Sequence, residues 1–258
     1  MPDFFSDVII FIFGLCIGSF MNVCIYRLPI KKSIIYPGSA CPECGIDIPF
    51  YDNIPVISYL LLRGRCRACG AGIPLRYIVI EIMGGAFAVL TYLRYGLSWE
   101  ALIYYGFIAS LLVITYIDID FQIIPDGISL PGILIGFSAS FLLPEITFKE
   151  SLSGILIGGG ILYVIAWGYH SITGKEGMGG GDIKLLAMIG AFVGWQGVLF
   201  TIFSASAVGT ISGVLVMLHQ KGGLKLAIPF GPFLSIGAIA YIFIGPDLIS
   251  WYFGLITP

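Results

Sequence analysis

Gly177-Met178-Gly179-Gly180-Gly181-Asp182-Ile183-Lys184 lies between two apolar runs, 151–171 and 184–196. Three successive glycines leave no side chain beside Asp182 and permit backbone angles that other residues resist. An acid carried on a glycine hinge where an apolar run begins marks the edge of a membrane helix. The stretch therefore asks two questions of the rest of the chain: whether it crosses a membrane, and what Asp182 would do at the border.

Composition answers the first. Of 258 residues, 58% are hydrophobic and only 11% charged, and the mean hydropathy is +0.99. That composition belongs to a polytopic membrane protein. A net charge of −2 gives no basic surface for nucleic acid. Eight apolar segments can be marked, near 6–26, 77–95, 100–118, 128–144, 151–171, 184–196, 198–218 and 228–253. The predicted fold is all-α, with about eight transmembrane helices. No Lys or Arg precedes Arg27, so the first segment lacks the basic lead of a cleavable signal and reads as a retained span. A hydrophilic insert of about 48 residues, from 28 to 75, follows it and is long enough for a small module.

Charge sets the orientation. With the insert in the cytoplasm, eleven of the 13 basic residues fall inside, including Arg27, Arg63, Arg76, Lys175 and Lys184. Only Arg94 and Lys149 fall outside, the sign that the positive-inside rule demands. Both termini then face outward, and Asp118, Asp120, Asp126 and Asp182 share the cytoplasmic side.

The insert holds Cys41-Pro42-Glu43-Cys44 and Cys66-Arg67-Ala68-Cys69, with 21 residues between the pairs. Two such pairs can set four thiolates around one ion, and Gly45 and Gly70 let each chain turn. A reducing cytoplasm favours metal over disulfides. Zinc bound by Cys41, Cys44, Cys66 and Cys69 has no open coordination position, so its expected role is to order the loop. Cys16 and Cys24 read as small residues buried in the first span.

Acids in membrane helices cost about 2.5–3.5 kcal/mol each on insertion scales, so they point to function. Asp118 and Asp120 end the third span on different helical faces, and spacing does not rank them. Asp126 follows Pro125 and is explained by a turn. Glu81 reads as a structural partner of Arg76. Asp182 alone could cap a helix, although a cap does not require the glycines before it. His170 and His219 lie near no plausible nucleophile, and the chain has no His-Glu-x-x-His motif, Walker loop or Gly-x-Gly-x-x-Gly after a strand. A carboxylate pair survives. Two facing carboxylates share one proton, so one can activate water while the other polarises a peptide carbonyl.

These residues resemble the bacterial type IV prepilin peptidases over most of the chain. Gly18-Ser19-Phe20-Met21-Asn22-Val23 and Tyr26-Arg27-Leu28-Pro29 look like the family's opening. Ser39-Ala40-Cys41-Pro42, Asp52-Asn53-Ile54-Pro55 and Gly64-Arg65-Cys66 match its loop. Ile117-Asp118-x-Asp120 through Ile124-Pro125-Asp126 looks like its first acidic motif. Gly174 through Leu186 looks like the second, and Pro229-Phe230-Gly231-Pro232 like the last. The resemblance implies a membrane aspartyl peptidase whose catalytic pair is Asp118 and Asp182, choosing Asp118 over Asp120. It implies cleavage of the basic leader from prepilins and pseudopilins at the cytoplasmic face, with no cofactor needed for proteolysis. It also implies S-adenosylmethionine-dependent N-methylation of the new N-terminal residue, usually phenylalanine, in members that carry the cysteine loop.

The expected organisation is a first helix over 1–27, a zinc-type loop associated with methyl transfer over 28–75, and a peptidase core over 76–258. The protein is expected in the bacterial inner membrane, with active site and loop in the cytoplasm. Gly179, Gly180 and Gly181 are expected to admit the extended leader junction beside Asp182, with Asn22 and Lys184 as candidate polar helpers. An ion-coupled transporter is the main rival, but it would place acids near the midplane, whereas Asp118 and Asp182 sit at span ends. A non-enzymatic assembly factor docking through its metal loop would leave the paired acids without a role.

Overall fold

The computed structural model describes residues 4–175, 179–219 and 229–256. Among them, six helices are long and apolar enough to cross a membrane: α1 (Phe4–Arg27), α3 (Arg76–Tyr95), α4 (Trp99–Phe121), α6 (Phe148–Thr173), α7 (Gly180–His219) and α8 (Gly231–Ile256). The 24 residues of α1, at about 1.5 Å each, exceed the roughly 30 Å hydrocarbon core. A short helix, α2 (Ile57–Leu61), lies in the insert, and α5 (Asp126–Ala139) is apolar but only 14 residues long. Segments 184–196 and 198–218 join as α7, interrupted at Gly194, where φ is 68° and ψ −178°. Such a backbone is open to glycine and closed to most other residues. The eight apolar runs thus become six long helices, one divided, and one shorter helix.

The distribution of residue sizes is that of a protein in lipid. On α6 the buried positions are Ser151, Gly154, Gly158 and Leu162, while Leu156, Tyr163, Val164, Ile165 and Trp167 are exposed. On α5 they are Ser129, Gly132, Gly136 and Ala139, with Leu134 and Ile135 exposed. Water would expel such an exterior; lipid does not, and helices there associate through small residues that let backbones approach.

The chain divides into two compact units, Met1–Val113 and Ile114–Pro258. In the first, α1 lies on α3 through Gly14 and Gly18 against Gly84 and Gly85. A Cβ on Gly84 would come within 2.6 Å of the Gly14 carbonyl, so no larger residue fits without parting the helices. The Tyr105 hydroxyl approaches the same carbonyls, 3.2 Å from Gly84 O and 3.4 Å from Gly14 O. Cys24 is buried in this packing, whereas Cys16 is exposed.

In the second unit, α7 is the central element, with α5, α6 and α8 packed on it. The α6–α7 contact rests on Gly154 and Gly190, whose backbones leave no room for a side chain on either. Ser151 Oγ donates to Ala191 O across the same contact at 2.8 Å. Thr147 and Glu150 form a reciprocal capping box that starts α6.

The Gly154–Gly190 contact makes a testable demand on sequence. Gly190→Val should destabilise the protein by about 1–3 kcal/mol, the usual cost of overpacking. Gly160→Val, at a site with no neighbouring atom within 4 Å, should change stability little. Thermal unfolding of both variants in one detergent checks the contrast.

Candidate active site

Two motifs meet in the second unit. Asp118 lies in the last turn of α4 and is 5% exposed, whereas Asp120, two residues on and so on the opposite side of the helix, is exposed. Burial therefore separates two acids that spacing could not. α7 begins at Gly180, so Asp182 stands in its first turn rather than at the capping position. Asp118, Asp182, Asp126, Gly179, Gly181 and the connector Gln122-Ile123-Ile124 line one cleft of about 230 Å³.

The cleft is built from close backbone approaches. The first backbone N–H groups of a helix have no partner within it, and that of Gly231, at the start of α8, donates to Asp118 Oδ2 at 3.0 Å. A Cβ on Gly231 would lie 2.6 Å from the same oxygen. Ile124 fills the space beside both glycines: a Cβ on Gly181 would lie 3.0 Å from Ile124 Cβ. Gly180 heads α7 with nothing close to it and is not part of the cleft wall. Glu176, Gly177 and Met178, quoted from the second acidic motif, lie outside the described residues.

Sequence reasoning underrated two residues here. Asp126 does begin a helix after Pro125, as a turn reading expects, but it also lines the cleft and pairs with Lys184 Nζ at 2.7 Å. Their separation of 58 positions hides this pair from a local reading. Exposed pairs of this kind contribute about 0–1 kcal/mol, so its value here is geometric, joining the first turns of α5 and α7. The role of Gly231 was also missed: a backbone donor leaves no side-chain signature, and only the surrounding Pro229-Phe230-Gly231-Pro232 string hinted at it.

The cysteine loop is the second constellation. Its two halves repeat one hydrogen-bond pattern 25 positions apart. Cys41 N donates to Ile46 O at 3.0 Å and Gly45 N to Cys41 O at 2.9 Å; Cys66 N donates to Ala71 O at 2.8 Å and Gly70 N to Cys66 O at 2.9 Å. Gly45 and Gly70 take φ of 71° and 72°, the left-handed turn that glycine permits. The four Sγ atoms lie within 4.8 Å of one another, with Cys41 and Cys69 3.9 Å apart. A tetrahedral ion with metal–sulfur bonds of about 2.3 Å needs sulfurs about 3.8 Å apart, so the set fits such an ion. The N–H groups of Cys69 and Ala68 point to Cys66 Sγ and bring its thiol down to about 7, towards the thiolate that ligation requires. Arg67 braces the loop through two 2.6 Å bonds to Asp52, and its guanidinium holds the Asp52 carboxyl below its usual range.

Two remaining candidates have structural partners. Asn22 is buried and donates from Nδ2 to Tyr77 O at 3.1 Å. Glu81, expected beside Arg76, accepts from Val56 N at 2.7 Å and from the Ser19 hydroxyl.

Comparison with known proteins gives this geometry a context. Residues 12–95 match the bacterial peptidase A24 N-terminal domain, and residues 105–214 match the type IV leader peptidase family. A protein of Pseudomonas putida named prepilin leader peptidase/N-methyltransferase is 35% identical over 261 residues, covering 93% of this chain and 91% of that protein. One of the same name from Aeromonas salmonicida is 33% identical over 273 residues, covering 96% and 94%. Another, from Pseudomonas aeruginosa, is 34% identical over 262 residues, covering 93% and 90%. No solved structure gives a significant match. With relatives aligned over nearly its whole length and both family domains present in order, the chain belongs to the type IV leader peptidase family.

Proposed function

We propose that the protein cleaves the leader peptide from type IV prepilins and pseudopilins and then methylates the new N-terminal amine, usually that of phenylalanine. The observation that carries the peptidase half is the placement of Asp118 and Asp182 in one cleft at the ends of two membrane-length helices. A leader junction joins a basic segment to an apolar helix, so it sits at the membrane border. A multi-pass protein of the bacterial inner membrane with its acids there meets that junction at the correct depth. The excess of basic residues in the insert and neighbouring loops supports a cytoplasmic location for both the cleft and the cysteine loop.

In this reading the two carboxylates share one proton. The ionised member takes a proton from water as that water attacks the scissile carbonyl. The protonated member donates to the carbonyl oxygen; the first member, now carrying the proton from water, then gives it to the departing amine while the second takes back a proton from the tetrahedral diol. The Gly231 N–H engages one oxygen of Asp118 and so fixes the orientation of its carboxylate. Gly179 and Gly181, which line the cleft, with Gly180 between them, leave room for an extended peptide. Unwinding the junction exposes backbone groups, for which polar cleft atoms serve as partners.

The peptidase core is assigned to 76–258, and the loop over 28–75 to methyl transfer, following the first helix over 1–27. Zinc held by Cys41, Cys44, Cys66 and Cys69 would tie the two knuckles of the loop together. S-adenosylmethionine would supply the methyl group. A transporter would use acids near the midplane, and an assembly factor would not need a paired-acid cleft; the ends of α4 and α7 favour the peptidase.

Three outcomes follow from these roles. With purified protein, a prepilin substrate and mass measurement of products, Asp118→Ala and Asp182→Ala should each lower cleavage by about 10³-fold or more. Full cleavage by either variant would remove it from the pair. Gly231→Ala should lower kcat by about 10²-fold through displacement of the Asp118 carboxylate, while the fold melts near the wild-type temperature. Metal analysis should find about one zinc per chain, the content of a single four-thiolate site. Cys44→Ser with Cys69→Ser should remove it and open the loop to limited proteolysis.

A further inference from the structure

A second cleft, of about 400 Å³, opens within the first unit. Cys16, Phe20, Val23 and Arg27 line one wall, spaced by four, three and four residues, so they form a single stripe along α1. From Cys16 to Arg27 that stripe rises about 16 Å, close to half of a hydrocarbon core of roughly 30 Å. It therefore runs the depth of one membrane leaflet, apolar for most of its length and ending in a guanidinium. Cys16 and Phe20 are exposed, so the apolar part of the cleft is open to lipid. The facing wall comes from loop segments 34–39 and 53–55, where Ile34, Ile35 and Pro37 lie in the same lining as Ser39 and Asn53.

The polar end is held in place and cationic. Arg27 Nη1 donates to Ser33 O at 3.0 Å and to Pro37 O at 2.8 Å, and Nη2 to Gly38 O at 2.8 Å. These bonds go to neutral carbonyls, and of the five guanidinium donors the Nε–H and one Nη2–H remain. In the same loop, Nε and Nη2 of Arg67 hold both oxygens of Asp52 at 2.6 Å, which shows how these two atoms take an oxyanion. Lys32 N donates to Arg27 O at 3.0 Å, keeping a second basic and exposed residue beside the first. Among the described residues no carboxylate lines the cleft. Glu81, outside the lining and buried, accepts from Val56 N at 2.7 Å and from the Ser19 hydroxyl. Ser19 belongs to one wall and Val56 directly follows Pro55 in the other, so Glu81 braces the two walls.

We propose that this cleft binds one anionic phospholipid, with its phosphate at Arg27 and an acyl chain along Cys16, Phe20 and Val23. Charge complementarity selects the class. A phosphodiester carries the negative charge that the two free guanidinium donors take, and basic pockets where membrane spans end hold such headgroups. A zwitterionic lipid brings an ammonium as well, and the lining has no carboxylate to receive it. The Ser39 hydroxyl and the Asn53 amide suit instead a headgroup that ends in hydroxyls. A free phosphate would leave the apolar stripe unused. A bound lipid would fill the space between α1 and the loop, tying the loop to the leaflet in which α1 ends. The proposal is independent of the reaction assigned above.

Full-length protein in phosphatidylcholine nanodiscs tests it with two trace probes, phosphatidylglycerol and phosphatidylcholine, each carrying the same photoreactive acyl chain. Peptide mapping should show about tenfold more labelling of 16–27 by the phosphatidylglycerol probe. The exposed face of α6 should be labelled equally by both. Asn53→Asp and Ser39→Asp set a carboxylate in the cleft and spare the Arg27 bonds. Each should remove the preference while thermal unfolding stays near that of the wild type, and Arg27→Ala should remove it too. Equal labelling of 16–27 by the two probes in the wild type is ordinary bilayer contact and overturns the proposal. A preference that survives in all three variants overturns it as well. Displacement of the probe by glycerol phosphate as readily as by unlabelled phosphatidylglycerol would assign the cleft to a soluble phosphate ester, and that too overturns it.

Discussion

Close backbone contact between glycines is the constraint on which each unit depends. In lipid, large apolar side chains gain nothing by meeting one another, so helices join where they have least between them. Gly14 and Gly18 on α1 meet Gly84 and Gly85 on α3, and Gly154 on α6 meets Gly190 on α7. Each meeting fixes where along one helix the next is held, and therefore where its ends emerge. In the second unit this register carries the start of α7, with Asp182, to the cleft that Asp118 lines.

Acids at such a border need placement as well as proximity. Asp118 is fixed by a backbone donor, the Gly231 N–H, and Gly231 in turn is restricted to glycine by the same carboxylate. Ile124 packs against both Gly181 and Gly231, so the connector after α4 links the three segments of the site. The Asp126–Lys184 pair adds a fourth link at the rim. The result is a cleft in which a backbone donor and rigid apolar contacts set the position of the Asp118 carboxylate.

Much of this was legible in the sequence, for physical reasons. Apolar runs of span length announce membrane helices because the bilayer sets the length. The cysteine spacing announces its knuckles because Gly45 and Gly70 must turn left-handed directly after them. Other features were not legible. A run broken by glycine does not show where, or whether, its helix is interrupted; the non-helical backbone of Gly194 shows the break between the two halves of α7. Asp118 and Asp120 are separated by burial, which depends on the face α4 turns inward. The bonds from Gly231 N to Asp118 and from Val56 N to Glu81 involve backbone donors that every residue but proline carries. Resemblance could nominate Asp118, but only the fold places a donor on it.

The central claim is that Asp118 and Asp182, 64 positions apart, meet across one cleft in the membrane-embedded protein. A doubly substituted protein, Asp118→Cys with Asp182→Cys, treated in membranes with a short bifunctional thiol reagent and mapped by mass spectrometry, tests that meeting directly. The account predicts a cross-linked peptide pair joining positions 118 and 182. Singly modified thiols at both positions, with no cross-link between them, would contradict it.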